Sequence, residues 1–401
     1  MHNTQLKVLI LHNDLRVYWK HRLIFLHEFL RSHRIDFYAI EIFGKGSPYD
    51  FEDPDNKEPW KDCLFPHHSY NELSKSKIKK KVFAKLSEIN PDVVIAGSIV
   101  FFSGALGLRW AKINSKQFIM FDDAKPSNVK RNAFVQGIKD LITSQIDALW
   151  LPSDDYDKEY SLLYKKRNFF FFYGYNCIDN KVFNIRQRKS NSNGKIVCVA
   201  RLVPIKNIKN LLRAWKFIEE NNSSCELIII GDGPLYNELN DFAKTMGLQR
   251  MKLLGSVPNE QLPLYLYDAD AFVLPSWSES WGLVVNEAMA AGLPVLLSNK
   301  INAANTLLKE GVNGYSFSPY DIVQLQQKLT DFINLPDTSK KAMSDNSLQI
   351  INQMDYDNMG RELLIALGKL KQKPGLRPSW LPFILINFWH GRYNTDGWNS
   401  I

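Results

Sequence analysis

Short apolar runs alternate along this chain with longer stretches in which apolar residues recur every three or four positions. Runs such as KVLIL (7–11), FYAIEIF (37–43) and QFIMF (117–121) predict buried strands, and the stretches between them predict helices. The same rhythm returns in the second half, in the runs KIVCVA (195–200), ELIIIG (226–231), MKLLG (251–255), AFVLPS (271–276) and PVLLS (294–298). Regular alternation of strands and helices predicts an α/β protein whose parallel sheets are covered by helices on both faces.

A polar segment, QRKSNSNGK (187–195), separates the two series of strands and shows no apolar periodicity, so it predicts an interdomain linker. A chain of 401 residues also exceeds the usual size of one domain. We therefore predict an N-terminal domain over 1–186, a C-terminal domain over 187–375, and an aromatic tail over 376–401 that packs back on the first domain. Each domain is predicted to be doubly wound and Rossmann-like, with a ligand cleft between the carboxyl ends of the two sheets.

The formal net charge is +8, and most of the excess lies in residues 1–186. A basic first half suggests an anionic partner, either a phosphorylated substrate or a lipid headgroup surface, although an ordinary solvated surface explains the charge equally well. The basic segment SKSKIKKKVFAK (74–85) leaves the same two interpretations open, peripheral membrane contact or a solvated helix face.

The compartment indicated by the sequence is the cytoplasm, with possible peripheral contact at the inner membrane face. The four cysteines are scattered and form no CxxC pair, which suits a reducing compartment and favours neither disulfides nor a zinc site. The first apolar run ends in charged residues after five positions, unlike a signal peptide. The run WLPFILINFW (380–389) is too short to span a bilayer.

The segment SESWGLVVNEAMAAGLPVL (278–296) carries two glutamates, Glu279 and Glu287, in small and apolar surroundings. A strand ends before it, and a helix is predicted to begin near Leu283 and to stop at Gly292 and Pro294. The backbone amides at the start of that helix would point into the cleft with the positive end of the helix dipole. They form a candidate phosphate site made by three residues, Gly282, Leu283 and Val284.

Two carboxylates beside a phosphate would repel it, so Glu279 and Glu287 are better placed to accept hydrogen bonds from hydroxyls on either side. A ligand that presents sugar, phosphate and sugar in a row is a nucleotide sugar. The alternative is that Glu279 is a surface loop residue and that Glu287 forms an ion pair on the helix. That alternative leaves the glycine and the helix stop signals unexplained.

Two cations follow the first strand of the second series, in VARLVPIKNIKNLLRAW (199–215). Arg201 comes directly after that strand and Lys206 lies in the loop before the next helix, so both are predicted at the carboxyl edge of the second sheet. An enzyme that expels a nucleoside diphosphate without a metal needs fixed cations of this kind. Taken alone, the pair could equally be solvated surface charges.

These segments resemble the retaining GT-B glycosyltransferases of family 4, also called group 1. The resemblance covers most of the second domain and includes the spacing of Glu279 and Glu287, the segments ARLVPIKNIKNLLRAW and LLKEGVNGYSFSP, and IIIGDGP (228–234), which contains Gly231. It implies a GT-B fold with two domains facing each other across a cleft. It also implies a metal-independent enzyme without a cofactor, which moves a hexose-type sugar from a nucleoside diphosphate sugar to an acceptor hydroxyl with retention. The acceptor would be a saccharide, free or lipid-linked, in bacterial surface polysaccharide synthesis.

The resemblance also assigns roles to individual residues. Glu287 would hold the ribose, Glu279 would contact the transferred sugar, and Arg201 and Lys206 would bind the diphosphate. The amides of 282–284 and Gly231 would complete the donor site. The chain departs from the family in having Ala200 where a glycine is usual. It also lacks the glycine-rich loop after its first strand, and Asp122 and Asp123 stand where a histidine is common.

Several other patterns are assigned no chemistry. Asp268 and Asp270 match a DxD metal motif, but they fall at a predicted helix–strand junction and no metal is expected there. The run NFFFFY (168–173) is typical of a core strand rather than a base-stacking platform, and nucleic acid is not expected as a partner. Neither half opens with GxGxxG, which disfavours a dinucleotide-dependent oxidoreductase. The remaining alternatives are a catalytically silent nucleotide-sugar-binding scaffold and another GT-B activity, such as a nucleotide-sugar epimerase or an α-glucan synthase.

Overall fold

The structure is a computed structural model, and it describes the residues 5–15, 18–46, 58–128, 132–165, 169–184, 194–221, 224–373 and 379–391. The chain divides into two compact units. Unit 1 comprises Met1–Tyr175 and Tyr356–Ser400, and unit 2 comprises Asn176–Asp355. Each unit is built on its own parallel sheet.

In the described part of unit 1, seven parallel strands form one sheet in the order β3-β2-β1-β4-β5-β6-β7. They are β1 (Leu6–His12), β2 (Ile35–Phe43), β3 (Lys61–Phe65), β4 (Val93–Gly97), β5 (Gln117–Phe121), β6 (Ala148–Leu151) and β7 (Phe170–Tyr173). Five helices accompany them up to residue 163: α1 (Tyr18–Ser32), α2 (Lys75–Ile89), α3 (Phe102–Ile113), α4 (Ala133–Thr143) and α5 (Asp157–Leu163). The central strands are apolar throughout and fully buried because helices cover both faces of the sheet.

Within the described residues of unit 2, six parallel strands form a sheet in the order β10-β9-β8-β11-β12-β13. They are β8 (Lys195–Val199), β9 (Glu226–Ile230), β10 (Met251–Leu253), β11 (Ala271–Leu274), β12 (Val295–Ser298) and β13 (Gly314–Phe317). The helices are α6 (Asn180–Phe183), α7 (Ile208–Asn221), α8 (Tyr236–Thr245), α9 (Leu262–Tyr267), α10 (Leu283–Ala290), α11 (Asn302–Leu307), α12 (Ile322–Ile333) and α13 (Asp337–Ile351). Both sheets are doubly wound, as predicted, and the strand order of unit 2 reverses between β8 and β11.

The last two described helices, α14 (Tyr356–Lys371) and α15 (Trp380–Phe388), belong to unit 1. Helix α14 packs on α1 and β7, and the ring of Tyr356 lies 5.5 Å from that of Phe25. Helix α15 packs on α3 and α4, and Trp389 Nε1 donates to the carbonyl of Ile99 at 2.8 Å. No helix in the described ranges has the length and the apolar character needed to cross a membrane.

The unit boundaries lie at Tyr175/Asn176 and Asp355/Tyr356, rather than at the predicted 186/187 and 375/376. The first boundary lies earlier because the segment before the predicted linker is bonded to unit 2: Asn180 Nδ2 donates to the carbonyl of Ile351 at 2.9 Å. The second lies earlier because α14 buries its apolar face against unit 1. Most of the predicted linker, residues 187–193, lies outside the described residues.

Candidate functional site

Four loops of unit 2 follow the carboxyl ends of β8, β9, β11 and β12. Because all the strands are parallel, these ends meet at one edge of the sheet. The strand order reverses between β8 and β11, so the loops after these two strands diverge and leave a crevice between them, which is where doubly wound sheets bind ligands. Arg201 and Lys206 lie in the loop after β8, and Glu279 lies in the loop after β11.

Lys206 and Glu279 form an ion pair between Nζ and Oε1, and their side chains are only 18% and 12% exposed. Ser276 adds a second donor, because its Oγ donates to the same carboxylate oxygen of Glu279 at 2.8 Å. Neither residue is therefore a solvated surface charge. The structure places two of the three predicted catalytic residues in direct contact across the reversal point.

Asn207 fastens the loop after β8 to its neighbours. It is 4% exposed and adopts a left-handed backbone conformation with φ of 58°. Its Nδ2 donates to the carbonyls of Pro275 and Pro319, both at 3.1 Å. The amide of Trp277 also donates to the carbonyl of Ile205 at 2.9 Å, so the loops that carry Lys206 and Glu279 are bonded to each other.

Asn302 fastens the loop after β11 from the other side. Its amide donates to the carbonyl of Glu279 at 3.3 Å, and its Nδ2 donates to the carbonyl of Ser280 at 2.8 Å. The amide of Glu279 donates in turn to the carbonyl of Lys300 at 3.2 Å. The backbone of Glu279 is thus held between residues that follow β12. Neither Asn207 nor Asn302 was predicted from the sequence, although asparagine beside a strand end is a common sign of such local hydrogen bonds.

The helix that follows this loop begins as predicted. Helix α10 starts at Leu283 behind Gly282, whose φ is 96°. Among the described residues, no acceptor is paired with the amides of Gly282, Leu283 or Val284, whereas the amide of Val285 donates to the carbonyl of Gly282 at 2.8 Å. Three amides and the positive end of the helix dipole favour an anion at this terminus, which is the candidate phosphate site of the sequence analysis.

The direction of α10 is fixed by buried polar contacts. Trp281 is 2% exposed, and its Nε1 donates to Asn286 Oδ1 at 2.9 Å. Asn286 is fully buried and donates through Nδ2 to the carbonyl of Asn176 at 3.0 Å. Glu287, the predicted ribose residue, lies one turn beyond Leu283 and is 6% exposed. Glutamate is rarely buried to this extent, so a buried Glu287 on a helix of small and apolar residues is unusual.

The packing of two loops requires a glycine at position 231. Its φ is 143°, and a Cβ atom built there would lie 1.8 Å from the carbonyl oxygen of Ala200. The loops after β8 and β9 therefore approach each other as closely as a glycine allows. Arg201 is half-buried in the first of these loops, and its carbonyl accepts from the amide of Val203 at 3.0 Å. The donor-binding role predicted for Gly231 would be additional to this packing.

The DxD sequence has a structural explanation as well. Asp270 Oδ2 accepts from the backbone amide of Lys195 at 2.8 Å, and Asp268 forms an ion pair with the Lys195 side chain. Both carboxylates thus hold the start of β8, at the edge of the sheet opposite to the Lys206–Glu279 pair.

A second polar cluster lies in unit 1, at the carboxyl edge of its sheet. Asp122 follows β5, and its Oδ1 accepts from the amide of Ala124 at 3.1 Å. Burial, with a smaller contribution from the charge of Asp123, raises the pKa of Asp122 to about 6. His12 ends β1 and stacks on Phe121 with ring centroids 5.6 Å apart, and burial lowers its pKa. From the sequence, Asp122 stood out only as a departure from a family pattern, although two aspartates directly after a buried strand are themselves unusual.

Unit 2 is similar in sequence to known glycosyltransferases. A family model described as "Glycosyl transferases group 1" matches residues 181–349, which is less than half of the chain and lies in unit 2. An Escherichia coli protein, UDP-Gal:alpha-D-GlcNAc-diphosphoundecaprenol alpha-1,3-galactosyltransferase, is 33% identical over 165 residues. That match covers 39% of this chain and 42% of the E. coli protein, so the chain spans less than half the length of this relative.

Solved structures extend the likeness to nearly the whole chain. Sucrose-phosphate synthase from Thermosynechococcus elongatus is similar over 92% of this chain and 99% of its own, with 17% identity and a TM-score of 0.71. Anabaena Alr3699/HepE, solved in complex with UDP, is similar over 91% of this chain and 100% of its own, with 17% identity and a TM-score of 0.70. At this identity the likeness shows the fold, and the predicted GT-B fold class is confirmed.

Proposed function

We propose that this protein is a glycosyltransferase, which moves a sugar from a nucleoside diphosphate sugar to the hydroxyl group of an acceptor. The observation that carries the proposal is the Lys206–Glu279 ion pair beside the N-terminal amides of α10, at the reversal point of the unit 2 sheet. The match of residues 181–349 to the group 1 family supports it, because it covers all of these residues.

In the proposed donor site, each predicted residue binds the part of the nucleotide sugar, phosphate or hydroxyl, that its own charge favours. The diphosphate would bind the amides of 282–284 together with Arg201 and Lys206, since cations and a helix N-terminus both favour phosphate. The buried carboxylate of Glu287 would accept hydrogen bonds from the ribose hydroxyls. These groups supply fixed positive charge for the departing diphosphate, and we propose that the enzyme needs no metal ion.

Donor binding would rearrange the ion pair. Without a donor, Lys206 neutralises Glu279; a diphosphate carries more negative charge and would draw the ammonium group to itself. The carboxylate of Glu279 would then accept hydrogen bonds from hydroxyls of the transferred sugar, while Ser276 continues to donate to it. This change of partner by Lys206 would couple binding at the diphosphate site to positioning of the sugar.

The proposed reaction retains the anomeric configuration. The acceptor oxygen forms a bond to the anomeric carbon on the face from which the diphosphate departs. The bond between that carbon and the diphosphate oxygen breaks, and the proton of the acceptor hydroxyl passes to the departing diphosphate. Lys206, Arg201 and the amides of α10 stabilise the charge that develops on the leaving group.

The proposed acceptor is a saccharide, and the proposed donor sugar is a hexose. The E. coli relative is named for transfer of galactose to a sugar on diphosphoundecaprenol, which supports a lipid-linked saccharide made for a bacterial surface polysaccharide. The net charge of +8 also suits an acceptor that carries phosphate. Such a reaction would take place at the cytoplasmic face of a membrane.

A thermal-unfolding panel with UDP, GDP, ADP, dTDP, CDP and CMP tests the donor site. At a concentration of about 100 times its dissociation constant, a bound nucleotide adds roughly 2.7 kcal/mol to the free energy of unfolding. We expect one diphosphate to raise the Tm of the wild type, and Glu287→Ala to abolish the shift. Glu238→Ala, at an exposed residue of α8, serves as the control and should keep it. If no nucleotide shifts the wild type, the proposal fails.

The transfer reaction is tested with the nucleoside diphosphate sugar that the panel selects. NMR of the product would give the anomeric configuration of the new bond, and inversion would contradict the proposed stereochemistry. Transfer that persists in excess EDTA would support metal independence. A donor that binds but is never turned over would favour a nucleotide-sugar-binding scaffold instead.

A further inference from the structure

An apolar surface of unit 1 has no part in the proposed reaction. Helix α15 contains no charged residue, and only Pro382 and Ile386 of its nine residues are buried. Its two most exposed aromatic side chains are Trp380, at 75%, and Phe388, at 78%. A surface of this kind on an otherwise polar protein marks an interaction site.

Helix α4 extends this surface, because it packs against α15. Phe134, in its first turn, is 78% exposed, and Val135 beside it is also exposed. We call the exposed apolar side chains of the two helices the apolar patch: Phe134, Val135, Trp380, Leu381, Phe383, Ile384 and Phe388.

Cations lie next to the apolar patch. Helix α15 packs on α3, and α3 packs on α2, which carries six lysines in fifteen residues. Lys75, Lys77 and Lys80 are exposed, and among the described residues none of them is paired with a carboxylate. Their helix comes close to the end of α15: burial and the charge of Arg109 lower the pKa of His390, and the positive charges of Lys75 and Lys79 add to this effect.

We propose that the apolar patch and the lysines of α2 dock this protein on an anionic lipid bilayer. Helix α15 would lie in the plane of the membrane, with Trp380 and Phe388 among the headgroups, because nine residues cannot span it. The lysines beside it would contact anionic headgroups. An anionic surface neutralises the unpaired lysines, whereas a second copy of this chain would bring more of them, and this favours a bilayer as the occupant.

Vesicle flotation with the full chain tests the docking surface, using vesicles of phosphatidylcholine alone or mixed with phosphatidylglycerol. We expect binding to the mixed vesicles, weakened by 0.5 M salt. Trp380→Ser with Phe388→Ser should weaken it at least tenfold. Lys75→Glu with Lys77→Glu and Lys80→Glu should weaken it on the order of 100-fold, since each lysine near such a surface contributes about fivefold.

The matched control is Tyr320→Ser with Val323→Ser, which removes two exposed apolar side chains, 70% and 72% exposed, from unit 2. All these positions are on the surface, so the Tm of each variant should stay close to that of the wild type. The control should bind vesicles like the wild type. Equal loss of binding in the control and in the Trp380 variant would overturn the proposal.

Two further measurements distinguish membrane docking from dimerisation and from a role of the patch in sugar transfer. Light scattering after gel filtration gives the oligomeric state. If the wild type does not bind vesicles and forms a dimer that Trp380→Ser with Phe388→Ser dissociates, the patch is an interface with a second copy and membrane docking is overturned. Transfer to a soluble acceptor should be unchanged in the patch variants. Loss of that transfer would place the patch in the reaction site and overturn docking, while the proposed transfer itself would still stand.

Discussion

Lys206 and Glu279 are 73 residues apart in the sequence and follow different strands, yet they form one ion pair above the point at which the strand order of unit 2 reverses. Each of them is bonded into a loop that asparagine side chains hold in place. The pair is therefore a fixed arrangement of two opposite charges rather than two independent surface residues. Both its stability and its chemistry can be measured.

The first prediction concerns the stability of the pair. Lys206→Ala and Glu279→Ala each leave the partner charge half-enclosed, so each should lower the free energy of unfolding. The double variant should lower it by less than the sum of the two single losses. We expect a coupling energy of about 1–3 kcal/mol from a double-mutant cycle in urea without ligand. The exposed pair Lys209–Glu238 is the control and should give less than about 1 kcal/mol. Equal coupling in the two cycles would contradict the prediction.

The second prediction concerns the proposed reaction. Lys206→Ala should lower kcat/KM by roughly 10²–10³, because it removes a cation that stabilises the departing diphosphate. Glu279→Gln keeps the size of the side chain and should mainly lower kcat. Lys209→Ala, three residues away on the surface of α7, should leave both parameters unchanged. If Lys206→Ala has full activity, the leaving group is stabilised by other residues.

The third prediction concerns Asn207. Asn207→Gly keeps the left-handed backbone but removes both donations to the carbonyls of Pro275 and Pro319, which should lower the free energy of unfolding by about 1–3 kcal/mol. Asn207→Asp should cost more, since it turns a carboxylate toward two carbonyl oxygens. Urea denaturation of both variants checks the order. A more stable aspartate variant would show that the side chain does not act as a donor.

The fourth prediction concerns Gly231. Gly231→Ala should lower the free energy of unfolding by at least about 3 kcal/mol, because its Cβ would lie 1.8 Å from a backbone oxygen that cannot move freely. Gly311 also has a positive φ, of 74°, but a Cβ there meets nothing within 4 Å. Gly311→Ala should therefore cost only about 1–2 kcal/mol, from backbone strain. Similar losses in the two variants would show that strain, not close approach, requires glycine at 231.

The fifth prediction concerns pH. The pKa of Asp122 is raised to about 6 in the folded protein, so the folded state holds this proton more tightly than the unfolded state. Its contribution to stability is present at about pH 4 and is lost as the pH rises through 6. Asp122→Asn should therefore gain stability relative to the wild type between pH 4.5 and 7.5, by about 2–3 kcal/mol.

The measurement for Asp122 is a series of urea denaturation curves over this pH range. Asp241→Asn, at an exposed residue of α8, controls for the loss of one negative charge. A difference between Asp122→Asn and the wild type that stays constant with pH would contradict the prediction.

The sequence predicted the fold well where local pattern determines structure. The apolar runs marked nearly all the strands of both sheets, and the glycine before Leu283 marked the start of α10. The pattern did not assign α14 to unit 1, because periodicity shows which face of a helix is buried but not which sheet it covers. The early boundary at Tyr175 was missed for the same reason, since long-range contacts attach that segment to unit 2, including the hydrogen bonds from Asn180 to Ile351 and from Asn286 to Asn176.

For the site, the sequence supplied the residues but not their pairing. Lys206 and Glu279 were selected for different contacts with a ligand, and their mutual ion pair follows from the strand order, which no single-chain pattern gives. Asn207 and Asn302 were missed because their partners are backbone carbonyls of other loops. Gly231 was assigned to ligand binding, whereas the close approach of two loops already requires a glycine there.

The return of α14 and α15 to unit 1 has a consequence for how the chain is made. During synthesis, the sheet of unit 1 emerges first, but the helix that covers α1 and β7 is added only after all 180 residues of unit 2 have been made. A fragment ending at Tyr175 would expose an apolar surface that includes Phe25 and Phe29, which meet Gly360 of α14. Unit 2 is one continuous segment and is made in full before unit 1 is complete, whereas expression of unit 1 alone requires a gene that joins residues 356–391 to the segment ending at Tyr175.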